Sequence, residues 1–154
     1  MNRNWNKDWR KSIIVLSGGF DPVHKGHLRM FREASWLGHQ VIVGLNSDDW
    51  LTRKKGKPFM EFEERKEILE GFKYINQVLS FDDTDDTASD IIRVVHDIFD
   101  YQDIDLQIYF ANGGDRTTDN VPEMDICKEL GVEMLWGVGG GKIQSSSWLI
   151  DGKK

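Results

Sequence analysis

A single cysteine, Cys127, stands among 154 residues, so no internal disulfide can staple the chain, and so sparing a use of thiols is expected of a reducing cytoplasm. The three prolines, Pro22, Pro58 and Pro122, are scattered, and no repeat or Pro- or Ser-rich stretch marks a linker. No apolar run approaches the roughly 18 residues of a membrane-spanning helix. The first eleven residues carry positive charge but lack the apolar stretch of a secretory signal. Positive charge is also outnumbered: 20 Lys and Arg against 26 Asp and Glu give a formal net charge of −6. Such a field repels nucleic acid as a general partner but allows a local basic pocket. What remains is a globular composition, 39% hydrophobic and 30% charged, at a length that suits one domain. The expected organisation is an N-terminal extension over 1–11 and a single domain over 12–154.

Short continuous apolar runs at 13–16, 41–45, 78–79, 104–111 and 132–138 read as strands buried on both faces. Between them lie apolar residues at helical period. Leu28, Phe31 and Ala34 precede Gly38; Phe62, Ile68, Leu69 and Phe72 follow Pro58 and a Glu-rich entry. Ile91, Val94, Val95, Ile98 and Phe99 form a third stripe, and Pro122 opens a fourth helix over 122–130 that Gly131 closes. The alternation predicts an α/β chain: a parallel sheet, right-handed crossovers and helices on both faces. Ligands of such sheets bind beyond the carboxyl ends of the strands, where strand order reverses. The informative residues should therefore follow strands.

After the first strand the chain reads Ser17-Gly-Gly-Phe-Asp-Pro-Val-His-Lys-Gly-His27 and enters a helix. Gly18 and Gly19 are expected to let the backbone turn and a ligand approach its amides. The helix start offers N–H groups and a positive dipole end to phosphate. His24 and His27, three apart, are expected to project toward the same ligand as hydrogen-bond donors. Blander readings stand beside this one. Two histidines without a third Cys or His nearby make a poor zinc site, and no metal site built of protein ligands is expected. The acidic run 82–86 lacks the sixth-position Gly and distal Glu of a calcium loop and reads as a solvated loop or helix cap. The glycine-rich stretch 137–142 fails the spacing of a P-loop, and Ile143 stands where its Ser or Thr would be. The basic run 54–57 also reads as a solvated surface loop.

The loop resembles the signature of the cytidylyltransferase-like nucleotidyltransferases, Gly-x-Phe-Asp-x-x-His-x-Gly-His. The similarity continues through Leu45-Asn-Ser-Asp48, Lys54-Lys-Gly-Lys-Pro58, Glu63-Glu-Arg-Lys66, Val78-Leu-Ser-Phe81, Asn112-Gly-Gly-Asp-Arg116 and Ser145-Ser-Ser-Trp148, segments like those of the glycerol-phosphate and heptose-phosphate members. The chain departs from the pattern at Gly19, where many cytidylyl members carry Thr, and at Gly56, where the glycerol-phosphate enzymes carry a basic-loop lysine. The resemblance implies a Rossmann-like three-layer α/β/α fold with a five-stranded parallel sheet, commonly in a homodimer. It implies transfer of a nucleotidyl group from CTP or ATP to a phosphorylated small molecule, with pyrophosphate leaving. Such a reaction needs in-line positioning and donors aimed at developing charge, since the acceptor phosphate is already ionised near neutral pH.

By the same resemblance His24 and His27 meet the triphosphate, His27 as the transition-state donor, with Lys54 as the third catalytic group. Gly18, Gly19, Phe20, Asp21 and Gly26 belong to the phosphate cradle, and Lys57 and Arg65 add charge from a mobile basic loop and the next helix. Gly114 and Asp115 form a strand-end turn, Asp115 orienting substrate or hydrated Mg²⁺ that arrives with the triphosphate. Ser145, Ser146 and Ser147 hold the β and γ phosphates. No nucleic acid or membrane partner is expected. Two other readings stay open: a non-catalytic nucleotide-binding or assembly module of the same fold, and a fragment of a class I aminoacyl-tRNA synthetase, which the acidic balance and lack of room for a tRNA-binding domain oppose.

Overall fold

The computed structural model describes residues 11–99, 105–113 and 121–140. Among them five strands form one parallel sheet: β1 (Ser12–Gly18), β2 (Gln40–Leu45), β3 (Gln77–Ser80), β4 (Gln107–Gly113) and β5 (Glu133–Val138), in the order β3-β2-β1-β4-β5. The helices are α1 (Lys25–Leu37), α2 (Asp48–Lys55), α3 (Phe62–Glu70), α4 (Ser89–Phe99) and α5 (Met124–Leu130). The expected α/β architecture is the observed one, a Rossmann-like sheet between two helical layers. Period-2 alternation in β1 divides the core. Ile14 and Leu16 pack on one face with Phe31 and Ala34 of α1 and Leu69 of α3. Ile13 and Val15 pack on the other with Ile91, Ile92 and Val95 of α4 and Ile126 and Cys127 of α5. Both faces of β1 being covered explains why its sequence is an unbroken apolar run.

Strand order turns back between β1 and β4, so the crevice at their carboxyl ends is the switch point of the sheet. Among the described residues no helix is long and apolar enough to cross a membrane.

Most strand ends shift by one or two residues from the sequence reading, and four differences are larger or more telling. Strand β4 starts at Gln107; Asp105 and Leu106 precede it, and Ile104 lies outside the described residues. Helix α3 ends at Glu70, although the Phe72 ring beyond it still packs 5.4 Å from that of Phe31. Pro122 sits in the turn before α5 rather than at its first position. Glu123 takes the cap position instead, its buried carboxylate accepting the Ala88 amide at 2.9 Å. The largest difference is α2, a helix that takes in Lys54 and Lys55 of the basic run expected to be loop. Only Leu51 of this helix is buried, so it has no apolar stripe to betray it. Its ends hold it: the Ser47 hydroxyl accepts Trp50 N, Asp48 and Asp49 occupy the first turn, and Arg53, Lys54 and Lys55 the last.

Candidate functional site

The loop after β1 reaches α1 through a reciprocal cap built from its two histidines. His24 is the N-cap, its Nδ1 accepting Gly26 N at 3.1 Å, and His27 Nδ1 accepts His24 N at 3.3 Å. Three-residue spacing is that of a capping box, with imidazoles in place of the usual hydroxyl and carboxylate. An Nδ1 that accepts an amide carries no proton, so in the neutral ring the proton sits on Nε2. The cap thereby makes each imidazole an Nε2–H donor at a helix N-terminus. The two rings stack with centroids 3.8 Å apart, and the His27 and Phe20 rings meet nearly at right angles with centroids 4.8 Å apart.

Burial, and next the neighbouring His24, push the His27 pKa down from the ordinary 6.5 to about 3. His27 is therefore neutral at pH 7 and offers a hydrogen bond rather than a charge. The stability consequence has a definite sign. Between pH 6.5 and 3 the unfolded chain holds a proton on His27 that the folded chain does not. Its contribution is thus complete above about pH 6.5 and is lost as pH falls toward 3. His27→Asn, whose side-chain oxygen can replace Nδ1 as acceptor, should lose less thermal stability between pH 7 and 4.5 than the wild type. Parallel melting curves at the two pH values check this, and an unchanged difference counts against it.

The glycines before the cap serve close approach rather than a left-handed turn. Positive φ falls on Phe20, at 49°, and its ring folds back so that a Cβ on Gly18 would lie 3.0 Å from Phe20 Cζ. A Cβ on Gly19 would lie 2.9 Å from Leu51 Cδ2 and 3.4 Å from Trp50 Cζ3 of α2. Gly26 is one residue inside α1, and its N–H belongs to the cap.

Two residues counted among the nucleotide contacts are committed to protein partners instead. The Arg65 side chain is fully buried on α3, where Nη1 donates to Gly19 O and Asn46 O, Nε to Met60 O and Nη2 to Asp48 Oδ1 at 2.7 Å. It joins the loops after β1 and β2 from behind and has no surface to offer a ligand. The Asp21 carboxylate, 1% exposed, accepts Phe59 N and Met60 N at 2.6 and 2.7 Å and pairs with Lys55 Nζ at 2.9 Å. It fixes the 59–60 backbone beside the histidine loop. Lys54 lies on the last turn of α2 rather than on a loop, its ammonium 4.6 Å from the Trp50 ring centroid, and Lys57 is exposed just beyond the Gly56 cap.

One structural residue of this edge went unrecognised in the acidic run. Asp83 is buried, accepting Asn46 Nδ2, Ser47 N and Ser47 Oγ at 2.8–3.0 Å, and so locks the start of α2 to the loop after β3. The rest of the run is at the surface as expected, Asp82 and Asp85 capping Thr84 and Thr87. Nothing in the local pattern distinguishes Asp83 from its neighbours.

Gly114, Asp115, Ser145, Ser146 and Ser147 lie outside the described residues. The strands that lead toward them both end against α1. A Cβ on Gly113 would meet Met30 Sδ at 2.9 Å, and Gly139 N donates to Glu33 Oε2 at 2.7 Å. Among the described residues no three His, Cys, Asp or Glu side chains gather as a metal site. The donors of the cap are imidazole N–H groups, suited to phosphate oxygens rather than to Mg²⁺.

A family model described as cytidylyltransferase-like matches residues 15–138. The bifunctional protein HldE of Wolinella succinogenes is 32% identical over 137 residues, which cover 85% of this chain and 26% of that protein. Glycerol-3-phosphate cytidylyltransferase of Bacillus subtilis is 30% identical over 86 residues, covering 56% of this chain and 67% of that one. The chain thus spans about a quarter of the length of the bifunctional relatives it matches. A crystal structure of the lipopolysaccharide core biosynthesis protein from Thermoplasma volcanium shares the fold, with a TM-score of 0.61, 17% identity, and coverage of 81% of this chain and 93% of that one.

Proposed function

The chain belongs to the cytidylyltransferase-like family, and from that premise we propose that it transfers a nucleotidyl group from CTP or ATP to a phosphorylated small molecule and releases pyrophosphate. The observation that carries this reading is the histidine cap. It leaves Nε2–H as the donor of two stacked imidazoles at the start of the helix that follows β1, an arrangement suited to a polyphosphate. An oxygen of the acceptor phosphate attacks the α-phosphorus, the bond to the bridging oxygen breaks, and pyrophosphate departs. His24 and His27 donate to phosphate oxygens as charge builds on them, His27 toward the transition state. The amides of Gly18, Gly19 and Phe20 line the cradle, and Lys54 and Lys57 bring positive charge from α2 and the loop beyond.

Mg²⁺ would arrive as part of the substrate, bound to the triphosphate, and would supply neutralisation of part of its charge. Asp115 and the serines 145–147 belong to the same proposal, as do a homodimer and a cytoplasmic setting. The similarity to glycerol-3-phosphate cytidylyltransferase supports a phosphorylated polyol as acceptor.

Pyrophosphate release measured over a matrix of the four triphosphates against phosphorylated small molecules, glycerol 3-phosphate and sugar 1-phosphates first, tests the proposal. Turnover is expected with CTP or ATP and one acceptor class. Tight nucleotide binding with no turnover for any acceptor would favour the non-catalytic module instead.

A further inference from the structure

Near its carboxyl end, strand β4 carries a polar side chain that the fold buries and leaves short of a partner. Asn112, next to last in the strand, is 2% exposed. Its Nδ2 donates to Leu135 O of β5 at 3.4 Å, a long bond. A carbonyl oxygen can only accept, so the amide nitrogen has to be the atom that meets Leu135, and the amide oxygen is left over. Oδ1 has no hydrogen-bond partner, alone in this among the buried side-chain nitrogen and oxygen atoms of the described residues. Buried polar atoms are nearly always paired, because nothing else offsets the loss of water.

Its place in the sheet is a second observation. Asn112 sits where the ladder between β4 and β5 is irregular: Ala111 pairs with Leu135 and Gly113 with Val138, so two steps along β4 match three along β5. Irregularities of this kind re-aim side chains and gather next to binding sites. Strand β4 is also the neighbour of β1 at the reversal of strand order, and Asn112 lies toward the same carboxyl edge from which β1 leads to the histidine cap.

We propose that Asn112 is a specificity-determining residue, its Oδ1 accepting a hydrogen bond from an uncharged N–H or O–H group of a bound substrate. The inference rests on the reading of this edge as a nucleotidyl-transfer site. Ionised phosphate oxygens only accept and would repel the amide oxygen, so the partner belongs to the remainder of the substrates. It is the amino group of the base or a hydroxyl of the ribose or acceptor, all of them neutral donors. Oδ1 is shielded from solvent, so the donor reaches it as the strand end gives way. Discrimination follows, because an analogue without the donor leaves the buried acceptor unpaired.

The experiment compares wild type with N112L, which is close in volume and has no polar side-chain atom. Titration calorimetry gives the dissociation constants of Mg·CTP and Mg·ATP, and pyrophosphate release gives the KM of the acceptor. N112L should keep a urea midpoint close to that of wild type, because the acceptor it deletes has no partner to lose. Either the nucleotide dissociation constant or, with that constant unchanged, the acceptor KM should rise about tenfold, the effect of leaving a substrate donor buried and unpaired. Analogues then identify the donor. UTP replaces the amino group of CTP by a carbonyl, and ITP does the same for ATP. Deoxy forms of the nucleotide and of the acceptor remove hydroxyls one at a time. Against the analogue that lacks the donor, N112L should show no loss relative to wild type. N112A replaces N112L if leucine impairs folding and should give the same pattern.

Wild-type dissociation constants and KM in N112L overturn the proposal and leave the nucleotidyl-transfer reading standing. A loss of equal size for every analogue also overturns it, since Asn112 would then support the strand end without meeting a donor. A wild-type protein that neither binds a triphosphate nor releases pyrophosphate removes the underlying reading and the proposal with it.

Discussion

His27→Ala is expected to lower turnover by about 10²–10³-fold with the triphosphate and acceptor that the release assay selects, the scale seen on removing one preorganised donor from a developing oxyanion. The preorganisation is visible in the ring. Its Nδ1 is held by His24 N, one face by the stacked His24 ring and a further side by Phe20, so Nε2 cannot wander. A pKa held near 3 keeps the imidazole neutral before substrate arrives, and an approaching triphosphate favours the protonated form by adding negative charge nearby. The alanine also deletes half of a capping box, a loss of about 1 kcal/mol of stability, so a control must separate the two effects. His27→Asn keeps an acceptor for His24 N but cannot reach where Nε2 stood. It should recover stability without recovering turnover. Near-normal pyrophosphate release in His27→Ala would end the assignment of a transition-state role.

Arg65→Met should be the most destabilising single change at the carboxyl edge of the sheet, by about 3–5 kcal/mol in urea unfolding. Methionine fills much of the volume, so the cost is polar rather than a cavity. Gly19 O, Asn46 O and Met60 O lose their donor together. Arg65→Lys should restore only a minority of that stability, because one ammonium cannot span carbonyls that a planar fork reaches at once. The loss at Asp48 adds less, since that carboxylate is 40% exposed and water can replace the guanidinium. If Arg65→Met unfolds at the wild-type urea midpoint, the guanidinium is no hub.

These two residues show how differently the site could be read from sequence. The histidines were legible because their chemistry and their spacing lie within four consecutive residues, and the spacing is itself a cap signature. Their tautomer was also implicit in that spacing, though it takes the observed Nδ1 contacts to see it. Arg65 and Asp21 were placed among the ligand contacts by the family resemblance of the segments that carry them, and a resemblance does not say which way a side chain faces. Their partners lie far along the chain: Gly19 is 46 residues from Arg65, and Met60 is 39 from Asp21. Helix α2 was hidden for the opposite reason. Its stability comes from end groups and long-range anchors, and a search for apolar periodicity has nothing to find there.

The sequence by itself determined the α/β class, the alternation of buried strands with helices, and the loop that carries His24 and His27 after the first strand. Those features follow from periodicity, strand burial and capping, which act over a few residues and are written in local order. The tertiary structure decided which charges are available. It buried Arg65 and Asp21 as internal braces and made Asp83 the lock of α2. Whether a polar side chain faces a ligand or another loop depends on desolvation and on hydrogen-bond partners, and only the folded chain brings those partners together.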